Sequence, residues 1–252
     1  MPVLVSRLSS RQRSNLRFLR TKWAAGQDWA RAYASRPFER LRARDRDLHV
    51  GAELPAPKRS YRPAETTLPT HLVTPPNIHA LHTFFDISPV SSNGRYLVAT
   101  VVPFLHRIPL PGDRAHVMVV DLLEQRSHIV YETRGWGAQL GAHTQWGPDD
   151  DTVVCNDVID GRGRGIRINY KTLEWFALDG PIYGLTPCRQ YSYAPALELV
   201  NASQHGYGVP EHLVGKKRLR ERRDQYEGIW RTNIVSGETE RFLSIAEIVN
   251  DL

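Results

Sequence analysis

Gly165-Ile166-Arg167-Ile168-Asn169-Tyr170-Lys171-Thr172-Leu173-Glu174-Trp175-Phe176 and Gly228-Ile229-Trp230-Arg231-Thr232-Asn233-Ile234-Val235-Ser236-Gly237-Glu238-Thr239 are two copies of one phrase. An apolar run ends at Asn, a polar turn follows, and a second run leaves. His116-Val117-Met118-Val119-Val120-Asp121-Leu122, followed by Arg126 to Tyr131, is a further copy ending at Asp. β-Branched and aromatic residues suit strands, and short Asp or Asn side chains bond the backbone just beyond them and so mark turns. Asp121, Asn169 and Asn233 are 48 and 64 residues apart.

A second element precedes each copy. Ser88-Pro89-Val90-Ser91-Ser92-Asn93-Gly94-Arg95-Tyr96 leads into the strand Gly94 to Val102, and Trp146-Gly147-Pro148-Asp149-Asp150-Asp151-Thr152-Val153-Val154 repeats the pattern. Tyr183-Gly184-Leu185-Thr186-Pro187-Cys188-Arg189-Gln190-Tyr191 is a weaker version. Turn, strand, strand, Asp or Asn, turn, strand is the grammar of a β-propeller blade of four antiparallel strands. A β-sandwich with similar hairpins is the alternative. The expected fold is all-β. Residues 78–252 hold about three to four blades at roughly 40–55 residues each, an incomplete arc of a ring.

Working outward, the charge is uneven. Residues 1–50 hold eleven Arg and one Lys against Asp28, Glu39, Asp45 and Asp47, a net +8, whereas the whole chain carries +6. The body is therefore close to neutral, and only the tail supports an anionic partner. Leu16, Leu19, Trp23, Trp29, Tyr33 and Leu41 recur at near-helical spacing with Pro37 as a break, so residues 1–50 read as a basic helical extension. No nucleic-acid motif accompanies the arginines, and no nucleic-acid partner is expected. Residues 51–77 hold six prolines and read as an extended linker. No apolar run reaches the ~20 residues a membrane span needs, and Arg7, Arg11 and Arg13 break any secretory pattern. The expected compartment is the cytoplasm, with Cys155 and Cys188 reduced.

His82-Thr83-Phe84-Phe85-Asp86-Ile87-Ser88-Pro89, Arg134-Gly135-Trp136 with Gln139-Leu140-Gly141-Ala142-His143-Thr144-Gln145-Trp146-Gly147, Cys155-Asn156-Asp157 and Gly206-Tyr207-Gly208 give residues 78–250 a resemblance. This stretch resembles the seven-bladed propeller polysaccharide lyases, most nearly the ulvan lyase group and more distantly the oligogalacturonate lyases. The Gln-Leu-Gly-Ala-His-Thr-Gln-Trp-Gly phrase is its most specific part. Members of that group continue into further blades, so the resemblance implies the N-terminal part of a longer propeller. It implies a divalent metal as a cofactor, but no complete ligand set is present and no metal ligand is assigned.

Such lyases cleave beside a uronic acid by β-elimination. The carboxylate must be neutralised, a base must remove the C5 proton, and an acid must protonate the leaving O4. On the resemblance, His143 is the candidate base or carboxylate partner and Tyr207 the candidate acid. Gln145, two residues beyond His143, shares its strand face and joins them as a substrate contact. His82, Arg134, Asn156 and His205 are the other candidate substrate contacts. The structural alternatives stay open: a histidine satisfying a loop carbonyl, a tyrosine packed at a blade edge, turn chemistry at Arg134 and Asn156. Departing from the family, Leu199 to His205 holds no arginine ahead of Gly-Tyr-Gly, and Arg189 is the nearest upstream.

Other chemistry is excluded by pattern. There is no Walker loop, dinucleotide fingerprint or Gly-x-Ser-x-Gly elbow. Cys155 and Cys188 are too isolated for a structural zinc site. The basic run Lys216 to Arg223 reads as a solvated loop or a contact for an acidic polymer. The expected function is that of a carbohydrate-active propeller, a lyase acting on an acidic polysaccharide or oligosaccharide. The alternative is a non-catalytic fragment that binds polysaccharide or protein. An open arc would expose blade edges, so self-association is also expected.

Overall fold

The computed structural model describes residues 48–61, 68–210, 228–245 and 247. The expected helices of the basic tail and the run Lys216 to Arg223 lie outside these residues. No described helix is long and apolar enough to cross a membrane.

The strands in chain order are β1 (Glu53–Pro55), β2 (Arg59–Tyr61), β3 (Thr70–Leu72), β4 (His79–Leu81), β5 (Tyr96–Val102), β6 (Ala115–Asp121) and β7 (Arg126–Thr133). They continue as β8 (Gln145–Trp146), β9 (Thr152–Ile159), β10 (Arg162–Asn169), β11 (Trp175–Ala177), β12 (Gly184–Leu185), β13 (Tyr191–Ala194), β14 (Gly228–Asn233) and β15 (Thr239–Ser244). The short helix α1 (Leu197–Ser203) interrupts the third sheet between β13 and β14. Three antiparallel meanders result: β4 to β7, β8 to β11 and β12 to β15. These are three propeller blades, as the repeated phrase predicts.

Each phrase closes its blade in the same way. Asp121 Oδ1 accepts from the backbone N–H groups of Leu123 and Glu124, both at 3.0 Å. Asn169 Oδ1 accepts from Lys171 and Thr172 at 3.0 and 3.1 Å, and Asn233 Oδ1 from Val235 and Ser236 at 2.8 and 3.1 Å. The residue four places on is left-handed each time: Gln125, Leu173 and Gly237 have φ of 54, 63 and 83°. An oxygen two bonds from Cβ suits this turn, so Asp and Asn serve it best. Asn169→Ala is expected to cost about 1–2 kcal/mol for the two lost bonds, read from the denaturation midpoint at unchanged m.

Alternation along β6 explains its unbroken apolar run. Val117 and Val119 face the second blade, in a core with Val98, Trp136, Trp146, Val153, Cys155, Ile166 and Ile168. Met118 and Val120 face the opposite side, with Ala99, Val101 and Ile129. Both faces are buried, so neither carries polar residues. Val154, Leu178, Ile182 and Ile234 join the second blade to the third.

The stretch read as a linker is extended and helix-free where described, but it is not a free spacer. β1 pairs with β7 as a fifth strand of the first blade, and β2 pairs with β3. Gly51 donates to Ile129 O at 2.8 Å, and Ala56 is buried, with Leu48 and Ala52 packed beside it on the far face of the first blade. That face is therefore covered, where an open arc would leave it bare. The third blade differs. Ser192 and Thr232 are buried, while the alternate residues Tyr193 and Arg231 sit with Glu240 and Phe242 on the other side. Phe242 stacks edge-on to Tyr193 at 4.9 Å and is 54% exposed.

Candidate functional site

A cavity of about 360 Å³ lies where the first strands of the three blades meet. The first blade supplies Thr83, Phe84, Asp86 and Ile87, just beyond β4. The connection into the second blade supplies Leu140 and His143, with Gln145 on β8. The third supplies Tyr183, Gly184, Leu185 and, from the connection after α1, Tyr207.

The segment 134–144 folds tightly because glycines let backbones touch. Gly137 and Gly141 exchange hydrogen bonds of 2.8 and 3.0 Å, and Gln139 N donates to Gly206 O at 3.1 Å. A Cβ on Gly137 would stand 2.3 Å from Gly206 O, and one on Gly141 2.5 Å from Thr100 Oγ1. Gly141 and His143 both take left-handed backbone, with φ of 56 and 55°. Ala142 N donates to Thr100 Oγ1 at 3.0 Å, and Thr83 Oγ1 donates to Thr144 O at 2.6 Å. His143 is thereby anchored on both sides to the first blade.

The His143 side chain is 1% exposed, and among the described residues neither ring nitrogen has a hydrogen-bond partner. Buried polar groups are nearly always paired, and both His143 nitrogens lie buried without a partner in a residue that borders the cavity. Its ring packs on Tyr183 at 4.9 Å between centroids. Gln145 Nε2 donates to Tyr183 O at 2.9 Å and, more weakly, to His143 O at 3.3 Å. Gln145 thus ties the second blade to the third. Burial pushes the Tyr183 hydroxyl pKa up, assisted by Tyr207 and Asp86 nearby.

Desolvation lowers the His143 pKa from its ordinary 6.5 to about 4. Between these values the unfolded chain takes up a proton that the folded one refuses, so acidification destabilises the fold by up to about 3 kcal/mol through this group. His116, also lowered by burial, acts in the same direction, and Glu198, raised by burial, opposes it. The stability difference between parent and His143→Asn is expected to shift by that amount between pH 7 and 4. Asn is chosen because it tolerates φ near 55°. A flat difference across this range would show an imidazole that titrates normally.

The structure thus gathers three expected residues, His143, Gln145 and Tyr207, at one cavity. His82 and His205 are exposed and do not line it. Arg134 is exposed, its backbone N–H held by Asp157 Oδ1 at 2.7 Å, and it is not in the lining either. Asn156 is corrected to a structural residue. It is fully buried, Nδ2 donating to Ile182 O at 2.7 Å and Oδ1 accepting from Ile182 N at 2.8 Å. Fully buried and bonded at both ends to the neighbouring blade, the amide is absent from the cavity lining. Thr83, Phe84, Asp86 and Tyr183 are the polar and aromatic lining residues that sequence reading missed, beside the apolar Ile87, Leu140 and Leu185 and Gly184. Their one signal is position, since each stands where a chain segment enters or leaves a blade's first strand.

Among the described residues, no group of three or more His, Cys, Asp or Glu side chains stands together as a metal site would. No lysine or arginine among them lines the cavity.

No protein-family model matches this chain, and no curated protein does. Among solved structures, it is similar to an oligogalacturonate lyase in complex with manganese, at TM-score 0.51 and 19% identity over 78% of this chain and 49% of that one. It is also similar to an oligogalacturonate lyase from Vibrio parahaemolyticus, at TM-score 0.50 and 13% identity over 77% of this chain and 48% of that one. At these identities the likeness concerns the fold, which is that of a β-propeller. The chain spans about half the length of either structure. The manganese belongs to the first of those proteins. The described residues here hold no such cluster of ligands and do not fit such an ion.

Proposed function

We propose that this cavity binds an acidic oligosaccharide and that His143 and Tyr207 cleave it beside a uronic acid by β-elimination. The observation that carries the reading is the buried, unpartnered His143 imidazole sharing one cavity with a phenol. The propeller likeness to oligogalacturonate lyases supports the substrate class; the expected likeness to the ulvan lyase group is not shown by the comparisons. In the step proposed, a neutral His143 nitrogen takes the C5 proton. The electron pair forms the C4=C5 bond, the C4–O4 bond breaks, and the Tyr207 hydroxyl gives its proton to O4.

The test is ultraviolet absorbance of the unsaturated uronate product on oligogalacturonate, ulvan and glycosaminoglycans. Product on any of them supports the lyase. Silence on all, with saturable binding retained, favours a second reading: a binding module without turnover. The specific observation behind that second reading is the cavity's lack of a lysine or arginine among the described residues. Without a guanidinium, the carboxylate lacks its strongest neutralising partner.

The exposed far face of the third blade carries a further expectation. Phe242, 54% exposed and packed on Tyr193, stands where a propeller ordinarily meets its next blade. The purified chain is expected to self-associate through this face in a concentration-dependent way, and Phe242→Asp to reduce it. Light scattering at 28.7 kDa across the whole concentration range would show a monomer and remove the expectation.

A further inference from the structure

Phe85 is 85% exposed, the most exposed large apolar side chain among the described residues. It is not isolated. Its ring lies 4.5 Å from that of Phe84, which lines the cavity and stands 6.4 Å from the ring of Tyr207. On the inner side, Tyr183 packs on His143 at 4.9 Å. Rings therefore mark the way from open solvent to the buried imidazole. The neighbours of Phe85 in the chain, His82, Asp86 and Ser88, are exposed and polar. Phe85 with the partly exposed Phe84, set among polar chain neighbours, suits a partner that is itself apolar on one face and hydroxylated at its edge. A pyranose has that form, its C–H face stacking on an aromatic ring while its hydroxyls reach polar neighbours. A protein interface core would present a broader apolar patch than this.

We propose that Phe84 and Phe85 carry the cavity outward into a second sugar subsite. Phe85 stacks on the saccharide residue adjacent to the one held over His143. This rests on the reading of the cavity as a carbohydrate site and adds that its ligand extends beyond a single sugar. Length selectivity follows, because a monosaccharide fills the cavity without touching Phe85, whereas a trisaccharide reaches it.

The experiment is calorimetric titration of the full chain with galacturonic acid and with trigalacturonate. A Tyr207→Phe background keeps the ring and prevents consumption of the oligomer. Phe85→Ala is expected to weaken trigalacturonate binding roughly 3- to 10-fold, the range for one aromatic contact, with monosaccharide affinity unchanged. Phe85→Trp is expected to restore or exceed the parent. Because Phe85 is exposed, its replacement leaves the fold intact, which the melting temperature verifies. Equal loss for both ligands, or no loss for either, would overturn the subsite while leaving the cavity reading in place. A change in light scattering with no change in sugar affinity would make Phe85 part of a protein contact and also overturn it. Failure of the parent to bind either ligand would overturn the cavity reading and the subsite together.

Discussion

His143→Asn and Tyr207→Phe are each expected to lower turnover on a cleavable uronate polymer by about 10²–10⁴-fold, the range for losing a general base or acid. The two substitutions differ from simple truncation. Asn keeps the left-handed backbone that His143 occupies and remains polar at a site 1% exposed, so it removes basicity with little strain. Phe at 207 keeps the edge contact with Phe84, at 6.4 Å between rings, and removes only the hydroxyl. Binding should survive both, and turnover should not. The acid limb of kcat/KM should follow the free-enzyme imidazole, which desolvation holds near 4. The parent is therefore expected to stay active below pH 6, where an exposed histidine base would already be protonated. Full activity in both variants would remove the pair from the mechanism and leave the cavity as a binding site.

Gly137→Ala is expected to damage both the fold and the site. The new methyl would lie 2.3 Å from Gly206 O and 2.7 Å from Gly208 O. Both are backbone atoms on the segment that carries Tyr207, so neither can turn aside like a flexible side chain. The two segments must part, breaking the Gln139 N to Gly206 O bond of 3.1 Å. Overpacking of this kind costs roughly 1–3 kcal/mol and occasionally more. Ligand affinity should fall further than stability, because Tyr207 moves away from His143. Gly184→Ala is the control for stability, since a Cβ there meets nothing within 4 Å. Equal melting temperatures for Gly137→Ala and Gly184→Ala would contradict the close approach. Unchanged ligand affinity in Gly137→Ala would show that Tyr207 does not depend on it.

Much of the blade architecture was legible because its cause is local. Asp121, Asn169 and Asn233 each cap a turn within three residues of themselves, so the pattern survives in linear order. The apolar runs at β5, β6 and β10 report strands packed between layers, and the structure finds them so. His143, Gln145 and Tyr207 were reachable through the phrases they sit in, and the cavity gathers all three. Asn156 shows the limit. It stands in an equally suggestive phrase, yet its partner is the backbone of Ile182, 26 residues away on another blade. Polar type and phrase do not say whether an amide faces a ligand or a neighbouring strand.

Sequence alone determined the alternation of strand and turn, the repeat of three, and the separation of a basic tail from a near-neutral body. These depend on side-chain chemistry acting within a few residues. Only the tertiary structure decided which residues share the cavity, that Glu53–Pro55 joins the first blade, and that one far blade face is covered while the other is exposed. It also left the His143 nitrogens without partners and stood Phe85 at the cavity's mouth. Those are products of long-range approach, of Thr83 bonding Thr144 and Gln139 bonding Gly206. Desolvation, the cause of the depressed His143 pKa, arises only when segments distant in the chain close around the ring.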